Sequence, residues 1–471
     1  MNIPKTYDAI VIGAGSGGLN VGVFLNSIGL RVLLVDKSDR NIGGDCLNFG
    51  CVPSKALIHI ARMIKEGKEA QRFGVTQTGE VDMARITQYI RDKKDYIRKH
   101  ENAEYFQKQG IDVVLGHARF KSKQSIEVGG IEYTAKKIFL ATGSRPRTLS
   151  IPGIESASVY TNETIFDIDF LPKDLVVIGA GPIGVELGQA FSMLGSKVTI
   201  VDRGERILPR EDVAIASVLQ KQLEEDGVEF VGGAETKEIK NGTVLVVERD
   251  GQEKELVFDA LLVAIGRELN QDNMDLEKAD IRLTKDGRKL KINQYLETTN
   301  KHVLVIGDIA GMHQFTHAAE AHAGVLLTNA FAFWKKKFDA HQMNWVTYTS
   351  PEIATFGWSE KELQEAGRRY DVVTLDAYED DRAIVDDAKG LLKVFVDKKG
   401  RVLGGSMVRK DAGELVQELI LLQTNNLSLD VLLKKVYPYP TATRINRRLA
   451  QKFAKKKLTT GVKKLLRMLY R

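Results

Sequence analysis

Cysteine is scarce in this sequence. The 471 residues contain two, Cys46 and Cys51, in the segment CLNFGC. A structural disulfide framework uses more cysteines at longer spacings, so an isolated close pair points to redox or metal chemistry. A structural metal wants about four ligands, and no histidine or third cysteine lies nearby, so no metal site is expected. Histidine is absent from a long stretch as well: all eight lie at or before His341. The C-terminal part therefore lacks the one side chain whose ordinary pKa suits proton transfer near neutrality. No run of about 18 apolar residues exists, which excludes a predicted transmembrane helix. The opening MNIPKTYDAIVIG has no charged region, apolar stretch and cleavage site in series, so a cytoplasmic protein is expected rather than a secreted one. Acidic residues are missing from 451–471, which carry eight Lys or Arg; the net charge of +6 without that tail is about −2. The basicity belongs to the tail, and no nucleic-acid partner is expected. A chain this long divides into two to four domains.

The chain also repeats itself. DAIVIGAGSGGLNVGVFLNSIGLRVLLVD (8–36) is similar to DLVVIGAGPIGVELGQAFSMLGSKVTIVD (174–202). Gly13, Gly15, Gly18, Gly29 and Asp36 recur as Gly179, Gly181, Gly184, Gly195 and Asp202, each 166 residues on. Each copy reads as a β-branched strand, a glycine turn, about a dozen residues of helical pattern and a second strand. In such a unit the first glycine makes the tight turn and the second lets the backbone approach a pyrophosphate at the helix N-terminus. The third allows helix and strand to pack closely, and the final acid binds a ribose diol. One copy is weak evidence; two, each with an acid 23 residues after its first glycine, point to two dinucleotide sites.

Three more strand-then-glycine segments follow: KIFLATGSRPR (137–147), ALLVAIGRE (260–268) and KHVLVIGDIAG (301–311). The stretch from about 211 to 300 alternates apolar runs with charged turns and reads as a small meander. From about 341 the texture changes to strands such as LLKVFVD and the helical run GELVQELILLQTNN, a separate α/β domain. In GGDCLNFGCVPSK (43–55), four intervening residues let one helical turn bring the two thiols within bonding distance. Pro53 suits an early helix position and places Cys51 near a helix N-terminus, where thiolate is favoured.

On these motifs the chain resembles the class I pyridine nucleotide-disulfide oxidoreductases: dihydrolipoamide dehydrogenase, glutathione reductase and mercuric reductase. GGDCLNFGCVPSK matches the family's redox dithiol segment, and Ala141-Thr142-Gly143 and Gly307-Asp308 follow in the family's order. The resemblance implies an α/β fold of two Rossmann-like dinucleotide-binding domains and a C-terminal α/β dimerisation domain. It implies an FAD-binding domain at 1–155 that resumes at 286–340, an NAD(P)-binding domain at 156–285, an interface domain at 341–450 and a basic tail at 451–471. FAD would be held by Gly13, Gly15, Gly18, Asp36 and Lys37, by Gly44, Asp45 and Lys55, and by Ala118, Ala141, Thr142, Gly143, Asp308 and Ala318. The nicotinamide would be held by Gly179, Gly181, Ile183, Gly184, Glu186, Asp202, Arg203 and Gly266. By match, Cys51 is the flavin-side thiol, Cys46 the exchange thiol, and Lys55 and Glu186 an ion pair beside the flavin. The family is homodimeric, with the active site completed by the partner's interface domain.

The departures are informative. Disulfide-exchanging members carry His-Pro-Thr with a Glu five residues after the His; here VYPYPTATR puts Tyr439 and Arg444 at those places. A phenol with an ordinary pKa near 10 is a poor proton shuttle at neutral pH. Tyr439 after Pro438 is similar to mercuric reductase, but that enzyme's C-terminal cysteine pair is missing here. A mercuric-reductase-like branch is expected, with the acceptor open: a lipoamide-type disulfide and a membrane quinone are the alternatives. Asp45 replaces the usual Thr and should disfavour a thiolate at Cys46. Pro182 stands where some relatives keep a tyrosine. Asp202 favours NADH, while Arg203 and Arg206 can accept the 2′-phosphate of NADPH. In the tail, Leu458, Val462, Leu465, Leu466 and Leu469 share one helical face among lysines. That pattern suits an anionic membrane surface; a solvated helix on the dimer or a frayed tail is the plainer reading.

Overall fold

The computed structural model describes residues 5–470 and divides into two compact units. The first comprises Met1–Met63, Gln71–Leu171 and Ala260–Phe338; the second Ile64–Ala70, Pro172–Asp259 and Asp339–Arg471.

In the first unit the strand Lys5–Ile12 lies between Val32–Asp36 and Ile131–Leu140, all parallel, and Asp112–Leu115 extends the sheet beyond Val32–Asp36. Ile131–Leu140 is long enough to serve two partners on one edge. Its first half pairs antiparallel with Ser125–Val128, and its second half parallel with Val303–Val305. Ile10, Val11, Leu33 and Leu34 are almost fully buried, as strands covered on both faces require. The helix Ser16–Ser27 connects the first two strands. A Cβ at Gly18 would collide with the carbonyl oxygen of Gly13, so the helix can start this close to the strand only with glycine there.

The second unit repeats this device. Lys197–Val201 pairs in parallel with Asp174–Ile178 and Glu229–Val231, and the helix Pro182–Leu194 makes the crossover. A Cβ at Gly184 would meet the carbonyl oxygen of Gly179 in the same way. The three-stranded antiparallel sheet Glu235–Lys240, Val244–Arg249 and Gln252–Val257 follows. The expected meander from 211 is therefore only partly a meander. Its opening is the helix Val213–Glu225, with Ile215, Leu219 and Leu223 buried at a spacing of four and the Asp212 carboxylate capping Ala214 and Ile215 N–H. The C-terminal segment forms a five-stranded antiparallel sheet, ordered Asn344–Thr347, Glu352–Gly357, Val402–Arg409, Leu391–Val396, Asp371–Asp376. Leu419, Leu422, Ile445, Leu449 and Phe453, from the helices Gln417–Thr424 and Arg444–Lys456, cover one face.

The tail is two helices rather than one. Arg444–Lys456 is packed through Phe453, the chain breaks at 457–459, and Thr459 caps Thr460–Leu469 through Val462 N–H. Every residue of the second helix is exposed.

Candidate active site

The dithiol segment turns on itself. Gly43 and Gly44 both have positive φ, and a Cβ on Gly44 would lie 2.6 Å from Cα of Gly15, so the segment rests against the first glycine loop. Cys46 lies on the short helix Gly44–Asn48, and Cys51 opens the helix Cys51–Glu69. Both thiols are free; Cys51 is exposed and Cys46 half-buried. Cys51 Sγ lies 3.3 Å from the hydroxyl of Thr316, the first residue of the helix Thr316–Phe331. A hydrogen bond from Cys46 draws the Cys51 thiol down to about 6; the Thr316 hydroxyl and the Lys55 charge act in the same direction, against burial and Asp45. The same contact, with burial, pushes Cys46 well above its ordinary value. The shared hydrogen bond thus favours the thiolate at Cys51 and the thiol at Cys46.

Asp45 is not a bare carboxylate beside these thiols. Arg267 Nη2 donates to its Oδ1 at 3.0 Å, and the Arg267 side chain is 9% exposed. Arg267 also donates to Ser144, from Nε to Oγ at 2.7 Å and from Nη2 to the carbonyl at 3.0 Å. Ser144 Oγ in turn donates to Asp308 Oδ2 at 2.5 Å. Burial raises the Asp308 carboxyl, while Ser144 and Arg267 counter it. One buried guanidinium therefore links the residue before Cys46 to the Gly-Asp motif.

The Ala141-Thr142-Gly143 turn is fixed by Asn270. Thr142 Oγ1 donates to the Asn270 carbonyl at 2.7 Å, and Asn270 Nδ2 returns a bond to the Thr142 carbonyl at 2.9 Å. Asp36 Oδ2 accepts from Ala14 N–H, and Oδ1 from Lys37 N–H, each at 2.7 Å. Ala118 and Ala318 are buried. In the second unit Asp202 repeats the motif, accepting from Ala180 and Gly204 N–H at 2.7 Å each. Gly181 precedes the helix there, with Pro182 at its first position and Ile183 half-buried. Arg203 lies 3.6 Å from Glu235, and Arg206 donates to the carbonyls of Pro209 and Glu211. Glu186 is buried and accepts from Tyr348 N–H at 2.8 Å. Lys55 and Gly266 belong to the first unit, Glu186 and Asp202 to the second. Tyr439 is 68% exposed.

The first glycine loop fits a dinucleotide phosphate. The helix Ser16–Ser27 has glycine at its N-cap and no side-chain cap, so its first N–H groups face the loop. The Asp36 carboxylate at the end of the next strand retains acceptor capacity for a ribose, and Arg267 neutralises the acid that Asp45 adds beside the loop.

Residues 7–323 match the family model described as pyridine nucleotide-disulphide oxidoreductase, and residues 343–448 match that family's dimerisation domain. The chain belongs to this family. Its members are FAD-dependent flavoproteins that use NAD(P)H. The chain is 32% identical over 445 residues to a mercuric reductase of Staphylococcus aureus, covering 92% of this chain and 80% of that protein. It is 34% identical over 447 residues to a dihydrolipoyl dehydrogenase of Thermus scotoductus, covering 93% and 95%. Among solved structures it resembles the HOCl-induced flavoprotein disulfide reductase RclA of Escherichia coli, at 29% identity and a TM-score of 0.84, covering 94% of this chain and 99% of that one. Among the described residues no group of three or more His, Cys, Asp or Glu could hold a metal ion, and no helix is long and apolar enough to cross a membrane.

Sequence reasoning missed Arg267, Asn270, Ser144, Thr316 and His322. GRELN (266–270) carried a usable signal for the first two, since it follows a strand and a glycine with polar residues at fixed offsets. His322 is fully buried. Gly307 N–H donates to its Nδ1 at 3.1 Å, and Nε2 has no hydrogen-bond partner among the described residues. Burial lowers its pKa to about 4. With a folded pKa below the unfolded value near 6.5, the unfolded chain takes up the proton first as pH falls. Stability is therefore lost between pH 6.5 and 4, by up to roughly 3 kcal/mol. Urea unfolding midpoints of wild type and His322→Gln, compared at pH 7 and 4.5, should show a markedly smaller acid-induced drop in the variant.

Proposed function

We propose that this chain is an FAD-dependent NADH oxidoreductase in which the Cys46–Cys51 pair relays electrons to an acceptor that needs no histidine-assisted thiol exchange. The observation that carries this reading is the asymmetry of the two thiols, with Cys51 at a helix start beside Thr316 and Lys55. When bound, the flavin supplies hydride acceptance from the nicotinamide and two-electron delivery to a disulfide. Cys51 holds a thiolate near neutrality, and Lys55, one helical turn on, favours that negative charge. Cys46 is the thiol that exchanges with the acceptor, and the Cys51 thiolate hydrogen-bonded to it is the base that takes its proton as its sulfur attacks. Asp36 and Asp202 take ribose hydroxyls, and Asp308, held by Ser144, takes polar groups of the flavin chain. Arg203 and Arg206 are engaged by Glu235 and by two backbone carbonyls, so neither is reserved for a 2′-phosphate, which favours NADH. The chain works as a homodimer through its dimerisation domain, and Tyr439 on that domain meets the acceptor. Adding NADH anaerobically to the oxidised holoenzyme and counting alkylatable thiols should reveal two new ones. If none appear, the pair is off the electron path.

Dihydrolipoamide reduction is the less favoured reading, because Tyr439 and Arg444 occupy the places of the exchange pair. A lipoamide assay should give only trace turnover beside a true dihydrolipoyl dehydrogenase. Docking to an anionic bilayer has one specific observation behind it: the helix Thr460–Leu469 is exposed all round, with leucines and lysines on different sides. Phe453 is buried, so the informative truncation removes 458–471 and leaves that core residue in place. Full-length protein should co-sediment with phosphatidylserine vesicles at low salt and the truncated protein should not; equal soluble fractions would remove the idea.

A further inference from the structure

In the first unit the helix Thr316–Phe331 runs out into a loop, 332–338, that reads AFWKKKF. Phe333 is fully exposed and Trp334 is 73% exposed. Phe331 and Phe24, whose ring centroids lie 6.1 Å apart, are exposed as well. The rings are not in water because the chain is loose. Asn329 pins the loop closed: its Nδ2 donates to the Lys336 carbonyl at 2.9 Å, and its Oδ1 accepts the Lys336 N–H at 2.5 Å. Phe338 N–H donates to the Gln294 carbonyl at 3.0 Å. Lys335 lies 2.6 Å from Glu297 and over the Tyr295 ring. A fixed loop that holds two aromatic rings in water forgoes the burial that folding otherwise gains from them. The charge around the rings has one sign. No Asp or Glu occurs from residue 321 to 338, or from 9 to 35, the stretch that contains Phe24. Glu297 is engaged by Lys335, and among the described residues no carboxylate pairs with Lys336 or Lys337.

We propose that this loop is a docking element that seats Phe333 and Trp334 in the interfacial layer of an anionic phospholipid bilayer. Tryptophan suits that layer, because its ring is apolar and its N–H finds a polar partner among the headgroups. Lys336 and Lys337 follow the rings directly and reach the phosphates and carboxylates of acidic lipids, with their stems along the apolar layer. A second copy of this chain fits the patch less well. Two such loops face to face would set lysines against lysines with no acid between them. The proposal goes beyond the dithiol chemistry and does not rest on the basic tail: the loop belongs to the first unit and the helix Thr460–Leu469 to the second, and each is a separate observation. Binding through two rings and two lysines is reversible and weakens as salt rises.

Trp334 serves as its own reporter. Full-length holoenzyme is mixed with vesicles of brominated phosphatidylcholine, with and without phosphatidylserine; bromine quenches indoles that enter the bilayer. Trp345 and Trp358 are half-buried, and a Trp334→Phe variant supplies their background. Wild-type emission should fall with the serine lipid at low salt and recover as salt rises, and Trp334→Phe should remove most of the fall. In co-sedimentation, Phe333→Ser with Trp334→Ser, and separately Lys336→Gln with Lys337→Gln, should each lower partition to serine-lipid vesicles about tenfold, with flavin content unchanged. These readouts need no electron transfer, so they stand apart from the dithiol reading. Sedimentation with vesicles but no quenching of Trp334 would mean that the tail docks alone, and would overturn the inference. Equal quenching with and without the serine lipid, at low and high salt alike, would overturn it too, since the lysines would then take no part. A lipid-free association of the full-length protein that Phe333→Ser with Trp334→Ser abolishes in analytical ultracentrifugation would overturn it in favour of a second copy.

Discussion

Replacing Cys51 by serine is expected to abolish NADH-driven reduction of any acceptor that receives electrons from the dithiol, by at least about 10³-fold, because the two thiols act as one unit. A serine hydroxyl does not ionise near neutrality, so the negative charge that Cys46, Thr316 and Lys55 together favour at this position disappears. The long-wavelength absorbance that a thiolate beside oxidised flavin produces should vanish from anaerobic NADH titrations of the variant. Cys46→Ala should act differently. It removes the hydrogen bond that lowers Cys51 most, so the pH at which iodoacetamide reacts half-maximally with Cys51 should rise from about 6 toward the ordinary thiol range. A Cys51→Ser enzyme with full turnover, or a Cys46→Ala enzyme with an unmoved alkylation profile, would show that the two sulfurs are not coupled.

Arg267→Gln is expected to be the most damaging change outside the cysteines. The guanidinium is the cation that serves Asp45 and offsets Asp308, and it spends two further bonds on Ser144. Removing it leaves a buried carboxylate and a half-exposed one facing each other across Ser144. Uncompensated charge of this kind costs about 3 kcal/mol, discounted from the fully buried case because Asp45 is 38% exposed. At roughly 2–4 °C per kcal/mol for a unit of this size, a fall in Tm of about 10 °C should be visible, with loss of bound flavin on gel filtration. Adding Asp45→Asn to Arg267→Gln should recover at least about half of that fall, because it removes the charge that Arg267 was answering. If the double variant is no better than Arg267→Gln alone, the residue works through packing and not through charge.

The same pair bears on an expectation drawn from the sequence, that Asp45 disfavours a thiolate at Cys46. The Cys46 thiol is pushed up, but by Cys51, burial and Glu101, and the Asp45 charge opposes the Cys51 thiolate instead. Its partner, however, lies 222 residues away in the chain. Nothing local to either residue announces that contact. Thr316 against Cys51 and His322 under Gly307 are of the same kind, each made by a helix whose own sequence reads only as helix. The helix Val213–Glu225 is a different sort of miss. Asp212 as N-cap and buried apolar residues four apart were legible, and the charged turns around them hid the pattern.

What the sequence determined by itself was the pair of β-α-β units and their acids. Those features rest on sterics within about 25 residues: a glycine where a Cβ would strike a carbonyl, and a carboxylate at the end of the next strand. It also determined the thiol spacing and the absence of histidine from the C-terminal part, which composition alone reveals. Only the tertiary structure decided which thiol is drawn down and which is pushed up, and what neutralises Asp45. Charge and hydrogen bonding act between atoms a few ångströms apart, whatever the distance along the chain, and only the fold sets which residues become neighbours.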